Sequence, residues 1–111
     1  MQLLGLYWHI DRWRKSSAYA RLTLEEQGAY RNLLDEAQLR GGALSTDERV
    51  LARACGDPTR WKAVRKNVLA HFVKRADGWH NETLDRVLHQ SVRRARKQQA
   101  YRARVFGNDP R

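Results

Sequence analysis

Between residues 23 and 42 the apolar positions recur at a helical spacing. Tyr30, Leu33, Leu34 and Ala37 stand at i, i+3, i+4 and i+7, so one face of the segment is apolar and the rest is polar. Ahead of that face, Thr23-Leu24-Glu25-Glu26 has the form of a capping box, in which Thr23 and Glu26 satisfy each other's free backbone N–H groups. Behind it, Gly41-Gly42 supplies the left-handed residue that ends a helix. A first helix is predicted over about 23–40. Ser45-Thr46-Asp47-Glu48 reads as a second capping box, opening a shorter helix over 46–55 through Val50, Leu51 and Ala54. Asp57 is a good N-cap and Pro58 is favoured at a first helical position, so a third helix is predicted over 58–69. Before all of these, residues 1–22 form an apolar-aromatic segment carrying Leu6, Tyr7, Trp8, Ile10 and Trp13.

The period then changes. In "HFVKRADGWHN", residues 71–81, a β-branched and aromatic run meets Asp77-Gly78, a dipeptide typical of tight hairpins. Asn81 is placed to cap one more helix over 82–105, with Leu84, Leu88, Ser91 and Ala95 on one face. The second and third helices are separated only by Gly56-Asp57, a link too short for antiparallel packing and suited to the wide crossing of a helix-turn-helix. A helix-turn-helix followed by a hairpin is the order of a winged helix. The expected fold is mainly α with a short β-hairpin: a winged helix-turn-helix domain over 1–90, a long basic C-terminal helix continuing from it over 82–105, and a tail over 106–111.

A chain of 111 residues fits one domain with one core. Its formal charge of +10 is unevenly spread. Residues 1–57 balance eight basic side chains against eight acidic ones, and the whole excess lies in 58–111. A one-sided basic field attracts polyanions, nucleic acid first among them. An anionic membrane surface is the weaker alternative, because the basic stretches lack an adjoining apolar strip. No window approaches the roughly 18 apolar residues of a span, and Leu3-Leu4-Gly5-Leu6 is too short for a signal peptide, so a cytoplasmic protein is expected. The single cysteine, Cys55, is expected in the core. The histidines at 9, 71, 80 and 89 show no ligand spacing, so neither metal nor cofactor is expected.

Placing one residue every 100° along the third helix puts Trp61, Val64, Val68 and Phe72 on one side. Thr59, Lys62, Ala63, Lys66 and Ala70 lie opposite, on a face that is short, basic and free of glutamate. Such a face suits a nucleic-acid groove, and Arg60 and Asn67 flank it within reach of base edges or phosphates. Arg65 falls among the apolar residues and is expected to snorkel or to pair with an acid of the first two helices. Lys74 and Arg75 at the hairpin tip are candidate phosphate contacts; the alternative is a hairpin that only covers the core with Phe72 and Trp79. In the last helix Arg86, Arg93, Lys97 and Arg104 share a face, Arg94, Arg96 and Arg102 add to the charge, and no acid occurs from Gln90 to Phe106. Its second half is expected to project from the domain and follow phosphates, or else to fray.

Catalysis is not expected. Glu25-Glu26 and Asp47-Glu48 sit in first turns, where capping and the helix dipole account for them, and nothing predicts converging carboxylates. The other function class is a protein-interaction module, with Trp8, Trp13 and Tyr101 as candidate anchors. RNA has no evident stacking platform. A homodimer would be an ordinary way for so small a reader to gain specificity.

The blocks "LTLEEQGAYRNLLDEAQLRGGALSTDERVLARACG" and "RWKAVRKNVLAHFVKRADGWHNETLDRVL" resemble the YdaU-like domain of phage and prophage proteins. The shared pattern is Leu22 to Tyr30, Gly41-Gly42 before Leu44-Ser45, Trp61-Lys62, Phe72, and Asn81 to Leu84, over about residues 7–90. Ser45 departs from it, standing where that family often has proline. The resemblance implies a winged-helix protein of a phage replication or early region in a bacterial host, associated with the nucleoid. Its expected partners are double-stranded DNA and replisome or phage proteins; a transcriptional regulator is the alternative. It supplies no functional residues.

Overall fold

A computed structural model describes residues 10–106. Leu6, Tyr7 and Trp8 of the N-terminal segment, and the tail beyond Phe106, lie outside them. The element order is α1 (Ile10–Arg14), α2 (Ser17–Arg21), α3 (Leu24–Leu39), α4 (Glu48–Ala54), α5 (Trp61–Leu69), β1 (Val73–Arg75), β2 (Gly78–His80) and α6 (Glu82–Phe106). The chain is mainly helical, with one antiparallel two-stranded hairpin and a long last helix. The turn between α4 and α5, followed directly by the hairpin, gives the expected winged helix-turn-helix order.

The first two helices depart from the expectation of a plain apolar segment. Each is five residues long, too short for an apolar period to show. The Ser16 hydroxyl divides them: it donates to the Trp13 carbonyl at 2.7 Å and accepts the Tyr19 N–H at 3.1 Å, capping α2. Trp13 then stacks on Tyr30 at 5.8 Å between centroids, and Ala18 and Leu22 are buried beside it.

The start of α3 is the predicted capping box. Thr23 Oγ1 accepts the Glu26 N–H at 3.2 Å and Glu26 Oε1 accepts the Thr23 N–H at 2.9 Å. Its end is a Schellman turn in which Gly41 has φ 84° and the Gly42 N–H reaches the Ala37 carbonyl at 2.7 Å. The predicted face, Tyr30, Leu33, Leu34 and Ala37, is buried.

The second capping box does not form. Asp47, not Ser45, caps α4, accepting the Arg49 N–H at 2.9 Å, while the Ser45 hydroxyl accepts the Asp47 N–H. Glu48 is drawn instead to α5, where it accepts from Trp61 Nε1 at 3.2 Å and Arg65 Nε at 2.6 Å. Two charge-assisted partners outcompete one backbone N–H. The start of α5 also moves, from Pro58 to Trp61. The Asp57 carboxylate folds Pro58-Thr59-Arg60 into a turn by accepting from the Thr59 N–H at 3.0 Å and hydroxyl at 2.6 Å.

In the hairpin Val73 pairs with His80, Lys74 with Trp79 and Arg75 with Gly78, so the two-residue connection is Ala76-Asp77 rather than Asp77-Gly78. Gly78 is needed for another reason. Leu44, in the segment after α3, exchanges both backbone hydrogen bonds with Trp79, at 2.8 and 2.9 Å. A Cβ on Gly78, whose φ is 138°, would collide with the Leu44 carbonyl oxygen. The bridge makes a third strand position and holds the hairpin against the helices.

Leu33, Leu44, Leu51 and Val68, fully buried, mark the centre where α3, α4, α5 and the bridge meet. Burial of each such side chain is worth about 1.5–3 kcal/mol relative to exposure. Cys55 is in this core, as expected. Asn81 joins α6 to it: Oδ1 accepts the Leu84 N–H at 3.0 Å, while Nδ2 donates to the Tyr30 hydroxyl at 3.0 Å and the His71 carbonyl at 3.2 Å. Among the described residues no helix is long and apolar enough to cross a membrane.

Candidate nucleic-acid interface

The apolar side of α5, Trp61, Val64 and Val68, is buried against α3 and α4, which turns Lys62, Ala63, Lys66 and Ala70 to solvent with Thr59 just ahead. Lys62 and Lys66 have no acid partner among the described residues. The two flanks differ from this open centre. Arg60 grips Glu25 with Nε and an Nη, at 2.6 and 3.1 Å, and Asn67 donates to Glu26 at 2.6 Å. On the other flank Arg65 meets Glu48, the inward pairing that its angle implied.

The electrostatics follow these contacts. The Arg60 guanidinium holds the Glu25 carboxyl below its ordinary value. Glu26 is lowered first by the Thr23 backbone N–H and also by Asn67, and Glu48 first by Arg65 and then by Trp61. The charge of Lys74, on the hairpin, contributes in the same direction at Glu48.

Lys74 and Arg75 are exposed, and the Lys74 ammonium stands 5.8 Å from the Trp79 ring centroid. Behind them the hairpin is tied to α6. His80 Nε2 lies 2.7 Å from Asp77 and Nδ1 lies 2.8 Å from Asp85, with only 14% of the side chain exposed. Both ring nitrogens can donate only in the imidazolium, and the hydrogen bond to Asp77, followed by that to Asp85, raises the His80 pKa above its ordinary value. The sequence reading missed this tie. Its signal was there, an acid three residues before His80 and another five after, but only the register brings all three together.

Arg86, Arg93, Arg94, Arg96, Lys97, Arg102 and Arg104 are all exposed on α6, without an acid partner among the described residues. They do not form one patch with α5. Arg60 and Asn67 sit at the N-terminal end of α3, whereas the first turns of α6, at Asp85 and Leu88, lie against Gly42 just past its C-terminal end. A 16-residue helix separates these points by about 24 Å. The basic cations of α6 after Leu88 therefore leave from the far end of the molecule, whose longest extent is 62 Å. A polyanion touching both regions must run along the molecule.

Of the expected protein anchors, Trp13 is packed on Tyr30 and Tyr19, Tyr101 is exposed, and Trp8 lies outside the described residues. Among the described residues no group of three or more His, Cys, Asp or Glu side chains is placed to hold a metal ion.

Residues 6–89 match the family described as "Protein of unknown function (DUF1376)", and the chain belongs to that family. No curated protein and no solved structure matched it.

Proposed function

We propose that this DUF1376 protein is a non-enzymatic binder of double-stranded DNA, contacting the duplex through α5, the hairpin and the basic α6. In keeping with the YdaU-like resemblance, it serves as a phage replication initiator or replisome organiser. The carrying observation is the outward face of α5. Two lysines one turn apart, with an alanine between them, face solvent with no acid partner among the described residues, while the acids nearby are turned to the flanks. Small residues between cations let a helix backbone approach a major groove about 12 Å wide. The hairpin and the exposed cations of α6 extend the same attraction along a duplex.

A titration of labelled duplex across a salt series tests this. Neutralising about five to seven phosphates gives a log-log slope of about −4.5 to −6.3. Lys62→Glu combined with Lys66→Glu is expected to weaken binding at least about a hundredfold at low salt, through lost contacts and like-charge repulsion. Because both sites are exposed, stability should change by no more than about 0.5 kcal/mol. Arg65→Glu is the contrast, setting a second carboxylate against Glu48 and lowering the melting temperature more than the double change does. A slope near zero, or full binding by a folded double variant, would turn the reading toward a protein partner.

A further inference from the structure

We infer that the module grips duplex DNA through its phosphates and shape and is nearly indifferent to base sequence. This rests on the proposed DNA binding and deepens it. Direct readout of bases relies chiefly on arginine or lysine on guanine and asparagine or glutamine on adenine, and of these the planar, forked groups fix a base edge most strictly. α5 and its N-cap carry three planar forks, Arg60, Arg65 and Asn67, and the fold engages every one with a carboxylate from another element. Glu25 takes two nitrogens of Arg60, at 2.6 and 3.1 Å, Glu48 takes Arg65 at 2.6 Å and Glu26 takes Asn67 at 2.6 Å. The Thr59 hydroxyl is committed as well, donating to Asp57 at 2.6 Å.

What remains to face a groove is two ammonium groups and two methyl groups, from Lys62, Lys66, Ala63 and Ala70. An ammonium on a flexible stem is a point charge suited to phosphates, without the fixed fork that distinguishes one base edge from another. Breaking these surface ties on binding carries a cost. Removing Arg60 would present the bare Glu25 carboxylate to the phosphates, and removing Asn67 would strip a donor from Glu26, a buried residue of the capping box. Outside α5 the exposed forks are Arg75 at the hairpin tip and the arginines of α6. Arg86, Arg93 and Arg104 share one face of α6 with Lys97, an arrangement for following backbone charge.

The experiment is a selection from a pool of randomised duplexes of equal length, followed by titration of the enriched and scrambled sequences with the full chain at one salt concentration. Affinities are expected to agree within about threefold, against the about 10³ or more that separates specific from non-specific sites for sequence readers. Enrichment of a motif bound at least about a hundredfold better overturns the inference while leaving DNA binding intact. Failure to bind any duplex at low salt overturns both readings. Glu25→Gln probes the cause: with Arg60 released, the salt slope should steepen by about one and a sequence preference absent from the parent protein should appear in the variant. An unchanged slope and a variant as indifferent to sequence as the parent protein remove Glu25 from the role of withholding Arg60.

Discussion

Asn81 carries three functions in one buried amide. It caps α6, holds the Tyr30 hydroxyl of α3 and satisfies the His71 carbonyl at the start of the hairpin. Asn81→Ala should therefore cost about 2–4 kcal/mol, the sum of a lost cap and of polar groups left unsatisfied in a buried site. Asn81→Asp, which keeps the acceptor for the Leu84 N–H but loses both donations, should fall between the alanine variant and the parent in urea denaturation. Equal stability of all three would mean that the amide orders nothing. Only the cap was legible in the sequence, because a cap is a relation between neighbours. Tyr30 is 51 positions away. The same limit applied on α5: its angles placed Arg60 and Asn67 on the flank, but Glu25 and Glu26, 35 and 41 positions away, were visible only in the fold.

At the scale of elements, local signals succeeded where one choice dominated and failed where two competed. The Thr23–Glu26 box and the glycines after α3 formed as predicted, since no other group competes for them. Glu48 had a cap and two α5 donors to choose from, and Gly78 had a turn and the passing Leu44 strand. The hairpin–α6 contact likewise rests on a choice of charge state. His80 is bound by Asp77 from the hairpin and Asp85 from α6, and its folded pKa lies above the unfolded value near 6.5. The stabilisation is thus fully present below about pH 6.5 and is lost as pH rises through the raised folded value. Melting temperature should fall over that window in the parent protein and stay flat in His80→Gln. His71 acts in the other direction and at lower pH: burial, with Arg21, lowers its pKa, so its protonation costs stability below about pH 6.5. A melting temperature unchanged above pH 6.5 in the parent would show that the two carboxylates do not hold an imidazolium.

Across the whole molecule, the α5 cations and those of α6 beyond Leu88 lie toward opposite ends of α3, and the hairpin is joined to the C-terminal end by its bridge to Leu44 and by the His80–Asp85 pair. Removing residues 93–111 deletes the distal region while keeping Leu84 and Leu88 against the core. The shortened protein should melt cooperatively, bind duplex more weakly for every sequence alike, and show a salt slope shallower by about 2–4. Loss of cooperative unfolding would place the distal half of α6 within the structural core. The helix-turn-helix and hairpin have a further property that follows from the bridge between Leu44 and Trp79. Those two backbone hydrogen bonds close the segment 44–79 on itself, so α4, α5 and the hairpin are fastened as one loop with both ends anchored. The surface offered to a polyanion is thus preorganised: association need order only the stems of Lys62, Lys66, Lys74 and Arg75, each at an entropic cost of about 0.5–1.5 kcal/mol, and no backbone segment at all.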